Sequence, residues 1–120
     1  MQPSKLNLDL LASLLKDNKN AIKQALELFV ETTNEDMEIL RGRIEDGKFH
    51  EASRLAHSLK SRFVYLGNDD ACQKVKSLES LLKEERENSY NEVKDQFDNL
   101  NYLINFCINQ VNEEIKTLEN

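Results

Sequence analysis

The 120-residue chain has no tryptophan, one proline and three glycines, and aromatic residues make up only 7% of it. An all-β fold of short strands needs many more turn-forming glycines and prolines than this. The composition therefore argues against a β-sandwich or barrel and favours helices. Because a chain of this length has room for one hydrophobic core, we expect a single all-α domain over residues 1–120.

Long apolar runs and clusters of basic residues are also missing. The longest apolar stretch, residues 103–108, is interrupted by Asn105 and is far shorter than the ~20 residues that span a bilayer. Sixteen lysines and arginines face 22 aspartates and glutamates, which gives a net charge of −6. We therefore expect neither nucleic-acid binding nor direct membrane contact, and we expect a cytoplasmic protein.

Cysteines and catalytic motifs are equally few. Cys72 and Cys107 fall on apolar helical positions, and no secretory leader pattern is visible, so we expect reduced core residues. The chain has no glycine-rich phosphate loop, which argues against an ATP-using kinase. Along a helix His50 lies about 10.5 Å from His57, too far for one ion to bridge, and neither histidine follows a glutamate by three residues. We expect no metal and no cofactor.

Apolar residues at helical spacing instead run through the whole sequence and divide it into five helices. Asn7 can cap a short first helix, a lid on the bundle. The second helix ends at Gly47, and the third covers residues 48–66 and ends at Gly67. Asn68 can cap the fourth helix. The fifth helix begins with a capping box formed by Ser89 and Glu92.

Each long helix carries one apolar stripe. The stripes of the second, fourth and fifth helices are Ile22, Leu26, Phe29, Thr33, Met37, Leu40 and Ile44; Cys72, Val75, Leu78 and Leu82; and Val93, Phe97, Leu100, Ile104, Cys107, Val111, Ile115 and Leu118. Four long helices with short connections predict an antiparallel up-down four-helix bundle with a short N-terminal lid helix.

The third helix places a histidine opposite its apolar stripe, which consists of Phe49, Ala52, Leu55, Ala56, Leu59, Phe63 and Leu66. At ~100° per residue, His57 lies roughly 140° from the centre of that stripe and is predicted to face water. An exposed imidazole is largely unprotonated at neutral pH, so that one ring nitrogen can attack an electrophile. Lys60, one turn further on, can neutralise an incoming anionic group such as phosphoryl.

The surface around His57 has the character of a docking face. On the same side of the helix lie His50, Ser53, Arg54, Lys60, Ser61 and Val64. Arg62 falls on the flank away from His57, so we expect its side chain to reach solvent and to leave the docking face free. Lys83, in the fourth helix, comes near this face only if that helix packs beside His57.

The segment A-H-S-L-K at positions 56–60, together with Gly67 and the stretch 72–79, resembles the histidine-containing phosphotransfer (HPt) domains, and the resemblance covers most of the chain. Members are four-helix bundles in which an exposed histidine takes a phosphoryl group from one receiver-domain aspartate and passes it to another. The resemblance implies that His57 is phosphorylated, that Lys60 stabilises the phosphoryl group, and that the docking face binds receiver domains of response regulators or hybrid sensor kinases. We expect a monomeric phosphoryl carrier without autonomous catalysis, which relies on the receiver for metal-assisted chemistry.

Two positions depart from the family pattern. Ser61 stands where glycine usually follows the lysine, and Arg62 stands where a small residue is common. These departures leave open a helical adaptor of the same fold that binds a partner without phosphotransfer. The methionine at position 1 favours a free-standing protein over a segment of a hybrid kinase.

Overall fold

The computed structural model describes residues 6–84 and 90–119, and every regular element within these ranges is a helix. Five helices follow one another: α1 Asp9–Leu14, α2 Lys19–Glu45, α3 Phe49–Tyr65, α4 Asp69–Lys83 and α5 Tyr90–Glu119. The predicted all-α class is confirmed. The capping box predicted at Ser89 and Glu92 includes a residue outside the described ranges. None of the described helices combines the length and the apolar character needed to cross a membrane.

The hydrophobic core lies among the four long helices. Helix α2 contacts α3 and α5, and α4 contacts the same two helices, so that the four enclose one interior. The seven buried residues of α2 are the seven of its predicted stripe. Phe63 of α3 packs edge-on against Phe29 of α2, with ring centroids 5.5 Å apart. Burying an aromatic side chain of this size contributes about 2 kcal/mol, which ties α3 firmly to α2.

Glycines end α2 and α3, as predicted. Gly47 has φ 73° and Gly67 has φ 63°, both in the left-handed region that suits glycine after a helix. Immediately after the second of these turns, Asn68 begins α4 by accepting a hydrogen bond on its side-chain oxygen from the Ala71 N–H at 3.0 Å. The turn thereby places α4 beside α3, on the side of α3 that carries His57.

The short helix α1 is attached to this same turn. The Asn7 N–H donates to the Leu66 carbonyl at 2.9 Å, and a Cβ added to Gly67 would lie 2.5 Å from the Asn7 carbonyl oxygen. The Asn7 side chain accepts from the Asp9 N–H at 3.0 Å, close to its predicted capping role. Helix α1 has no fully buried residue; partly buried Leu11 and Ala12 pack against the core, and the hydrogen bond from Asn7 to Leu66 ties the start of the segment to the turn.

Candidate functional site

His57 lies on the outer side of α3. Residues on the opposite side of the helix, among them Ala56, Leu59 and Phe63, are fully buried, whereas 66% of the His57 side chain is exposed. The predicted exposure of the imidazole is confirmed. Because the histidine lies within a 17-residue helix, the packing of α3 against the core fixes the position of its backbone.

A buried carboxylate of α4 binds the exposed ring. Glu79 Oε2 lies 2.8 Å from His57 Nδ1, and only 7% of the Glu79 side chain is exposed. An ionised carboxylate can only accept hydrogen bonds, so Nδ1 carries the hydrogen and donates it. The other ring nitrogen, Nε2, then keeps its lone pair. The contact therefore both orients the ring and selects the nitrogen that can act as a nucleophile.

Two lysines also lie beside the Glu79 carboxylate. Lys83 Nζ lies 3.1 Å from Oε2, and Lys60 Nζ lies 3.9 Å from Oε1. Burial alone would raise the pKa of Glu79, but the hydrogen bonds that it accepts from Lys83 and His57, together with the positive charge of Lys83, outweigh it and hold the pKa below its ordinary value of 4.5. Glu79 is therefore ionised at neutral pH, as its acceptor role requires. The structure thus brings the predicted residues His57, Lys60 and Lys83 together around one carboxylate.

Glu79 is not among the site residues predicted from the sequence. Its spacing contains a signal, because Val75, Leu78, Glu79 and Leu82 follow the steps of three, one and three residues that mark a buried helix face. A glutamate at such a position is seldom buried unless it has cationic partners. A charged residue on an apolar stripe therefore indicates that Glu79 has a polar partner in the fold, although the pattern does not say which residue that is.

The predicted docking residues divide into exposed ones and one that is buried. His50, Arg54, Ser61 and Val64 are exposed. The prediction that Ser53 faces the docking partner is wrong, because only 2% of Ser53 is exposed and its hydroxyl donates to the His50 carbonyl at 2.7 Å. Ser53 lies at the edge of the packed face of α3, where its short side chain bonds to its own helix.

Arg62 also differs from its prediction. Its side chain is half-buried and forms a salt bridge with Asp36 of α2, so it does not extend freely into solvent. It does lie away from the docking face, because it bonds to α2 whereas His57 bonds to α4. The Ser61 hydroxyl donates to the Ser58 carbonyl at 3.2 Å, within its own helix.

The two cysteines have free thiols, Cys72 half-buried and Cys107 buried. Burial raises the pKa of both thiols. At Cys72 the negative charge of Asp69 raises the pKa further, and the positive charge of Lys60 opposes this effect. At Cys107 burial raises the pKa to about 11, although a hydrogen bond with Asn68 lowers it. Neither is an activated nucleophile. Within residues 6–84 and 90–119, no three His, Cys, Asp or Glu side chains gather in a way that could hold a metal ion.

The family model for the Hpt domain matches residues 24–120, a range that includes almost all of α2, the whole of α3 and α4, and α5. His57, Lys60, Glu79 and Lys83 all fall inside the matched range. A search of curated proteins and a search of solved structures found no match.

Proposed function

Because the chain belongs to the Hpt domain family, in which histidine phosphotransfer serves two-component phosphorelays, we propose that it is a relay intermediate. It accepts a phosphoryl group on His57 from a receiver-domain aspartate and passes it to the aspartate of another receiver. The observation that carries the proposal is the 2.8 Å contact between Nδ1 of His57 and the buried carboxylate of Glu79. That contact leaves the lone pair of Nε2 available on an exposed ring.

The transfer step follows from this arrangement. The Nε2 lone pair attacks the phosphorus of the aspartyl phosphate, and the bond from phosphorus to the aspartate oxygen breaks, so that the aspartate leaves as a carboxylate. His57 keeps its proton on Nδ1, and the phosphorylated ring is therefore a cation. Its positive charge faces ionised Glu79, which stabilises the product without any proton transfer. Return of the phosphoryl group to a second aspartate is the same step in reverse.

Lys60 and Lys83 are the residues that we assign to the phosphoryl group. A phosphoryl group on nitrogen brings a charge of about −1.5 to −2, and both ammonium groups already lie within 4 Å of the carboxylate that binds the ring. They can offset that charge as it arrives. The chain itself acts as a carrier, since metal-assisted activation of the phosphoryl group comes from the receiver.

The docking surface in this proposal consists of His50, Arg54, Ser61 and Val64, which surround His57 on α3. Such a surface suits a transient complex with a modest interface. We further propose a cytoplasmic monomer built as an antiparallel up-down bundle with α1 as its lid. The ion pair of 3.4 Å between Lys23, near the start of α2, and Glu119, at the end of α5, supports opposite directions for these two helices.

Incubation with a phosphorylated receiver domain tests the assignment of His57. We expect acid-labile, alkali-stable label on the wild-type chain and none on a His57→Gln variant. His50→Gln is the matched control, because it removes the other histidine of the same helix: it should still acquire the label, although more slowly where His50 contributes to docking. Undiminished labelling of His57→Gln would overturn the assignment.

The second candidate function is a helical adaptor that binds a receiver without accepting phosphoryl. The departures at Ser61 and Arg62 favour it, since they alter the segment that follows Lys60. Stable binding of a phosphorylated receiver, with no label on the wild-type chain, is the result expected of an adaptor.

A further inference from the structure

An open apolar pocket lies where α1, α2 and the end of α3 meet. It has a volume of about 260 Å³, and Leu11, Leu26 and Phe29 are among the residues that line it. Two exposed apolar side chains line it as well: Leu28 is 59% exposed and Tyr65 is 47% exposed. Large apolar side chains left at the surface around a pocket are typical of a site that a ligand covers. None of the residues assigned to receiver docking lines this pocket.

One donor at the pocket has no acceptor. Arg62 lines the pocket, and its Nη2 bonds to Asp36 Oδ2 of α2. The other terminal nitrogen, Nη1, is buried and has no hydrogen-bond partner among the residues that the structure describes. A guanidinium can only donate hydrogen bonds, and a buried donor without an acceptor is costly. The pocket therefore combines apolar walls with one unused donor.

The charges around Arg62 favour an uncharged acceptor. Asp36 already neutralises the guanidinium, and the chain carries a net charge of −6. A carboxylate that entered the pocket would be repelled by Asp36, whereas a carbonyl oxygen accepts the same hydrogen bond without that cost. Thr32 also lines the pocket, but its hydroxyl donates to the Leu28 carbonyl at 2.8 Å, so its hydrogen is already used.

The volume of the pocket sets the size of the ligand. Because an apolar cavity of about 150 Å³ binds benzene, a pocket of this size suits roughly ten non-hydrogen atoms. We propose that the pocket binds an uncharged, largely apolar molecule of about this size that carries one carbonyl oxygen. The apolar body packs against Leu26 and Phe29, and the carbonyl oxygen accepts the hydrogen bond from Arg62 Nη1.

Three probes that share a benzene ring test the class of ligand. Acetophenone carries a carbonyl, ethylbenzene lacks it, and benzoate has a carboxylate in its place. In nuclear magnetic resonance titrations of the isotope-labelled full chain, acetophenone should give saturable shifts of the Leu26, Leu28 and Leu66 amides. Because the hydrogen bond comes from a charged donor, we expect ethylbenzene and benzoate to bind about tenfold more weakly. Equal affinities for acetophenone and ethylbenzene, tighter binding of benzoate, or no saturable shifts would each overturn the proposal.

A pair of leucine variants locates the site. Ala25→Leu fills the pocket, which Ala25 lines, and should abolish the shifts caused by acetophenone. Gln24→Leu adds the same side chain at an exposed neighbour that does not line the pocket, and it should bind acetophenone as wild type does. Wild-type affinity in Ala25→Leu would place the binding elsewhere and would overturn the assignment.

A double variant tests the donor. Arg62→Met is combined with Asp36→Asn, so that removal of the guanidinium leaves no carboxylate without its partner. The double variant should bind acetophenone and ethylbenzene with equal affinity, whereas Asp36→Asn alone should keep the preference for acetophenone. A preference that survives in the folded double variant would remove Arg62 from the site.

A second copy of the chain is the rival occupant of the pocket. Shifts of the same amides that depend on protein concentration, in the absence of any probe, would identify that copy as the occupant and overturn the proposal. None of these measurements requires phosphotransfer to His57, so a negative result leaves the proposed function intact.

Discussion

Glu79 is buried and contacts two lysines and the Nδ1–H of His57, and removing its charge should affect phosphorylation more than folding. In Glu79→Gln the amide oxygen can still accept the hydrogen bond from His57, but the phosphorylated ring loses its counter-ion. Because charge-assisted hydrogen bonds are roughly twice as strong as neutral ones, we expect the initial rate of labelling to fall about tenfold. Glu27→Gln, at an exposed position of α2, should be labelled at the wild-type rate. Equal rates for the two variants would remove Glu79 from the mechanism.

The lowered pKa of Glu79 also predicts how stability depends on pH. A carboxyl group whose folded pKa lies below its unfolded value stabilises the fold above the unfolded value, here 4.5, and this contribution is lost as the pH falls through the folded value. We therefore expect the free energy of unfolding of the wild type to decrease below pH 4.5 more steeply than that of Glu79→Gln. Urea unfolding over a series of acidic pH values measures both slopes. Parallel curves would contradict the predicted linkage.

At the residue scale, the sequence predicts the environment of a side chain correctly where the position lies opposite an apolar stripe, and incorrectly where a neighbouring helix decides that environment. His57 is exposed as predicted. Glu79 was not predicted as a site residue, and Arg62 was predicted to reach solvent. Each bonds to a partner on another helix, 22 and 26 residues away along the chain. Nothing in the local periodicity specifies such a partner. Ser53 is buried and not exposed as predicted, because a small polar side chain at the edge of an apolar stripe can bond to the backbone of its own helix.

At the scale of the elements, helices and their ends were largely predictable. The buried face of α2 matches its predicted stripe, and α3 runs over Phe49–Tyr65, within one residue of the predicted range at each end. In α4 the buried face includes Ala71, whereas Cys72 is only half-buried. Alanine is a weak signal of burial in a sequence, so the predicted stripe begins one residue too late, at Cys72 in place of Ala71.

The two helix-ending glycines should respond differently to the same substitution. Both have positive φ, so alanine at either costs about 1–2 kcal/mol in backbone strain. A Cβ at Gly47 meets nothing within 4 Å, whereas one at Gly67 meets the Asn7 backbone. Because such overpacking adds about 1–3 kcal/mol, Gly67→Ala should lower the free energy of unfolding by more than Gly47→Ala. Chemical denaturation of the two variants measures the difference.

The same substitution should also loosen α1, because the added Cβ would displace Asn7, whose N–H bonds to the turn that follows α3. Amide hydrogen exchange at Ala12 and Leu15, whose N–H groups bond within this segment, should accelerate in Gly67→Ala and stay unchanged in Gly47→Ala. Equal exchange in both variants would show that α1 is held by other contacts.

At the scale of the whole molecule, the two thiols should report different events. Cys72 is half-buried and Cys107 is buried in the core, with a pKa of about 11. We expect a thiol reagent at pH 8 to modify Cys72 in the folded protein and Cys107 only when the whole bundle unfolds, since thiolate and access are both needed. The labelling rate of Cys107 in a Cys72→Ser variant should therefore follow the unfolding equilibrium as urea is added. Rapid labelling in buffer would mean that the core opens locally.

The central placement of His57 on one face of α3 determines how signals can pass through this protein. In the proposed relay, donor and acceptor receivers need the same nitrogen and cover the same patch of surface, so they must take turns. The carrier then works as a shuttle with a ping-pong cycle: one partner leaves before the next arrives. An excess of unphosphorylated acceptor would bind chains that carry no phosphoryl group and would slow transfer from the donor. The abundance of the two receivers relative to this chain therefore sets the rate of phosphoryl transfer through the relay.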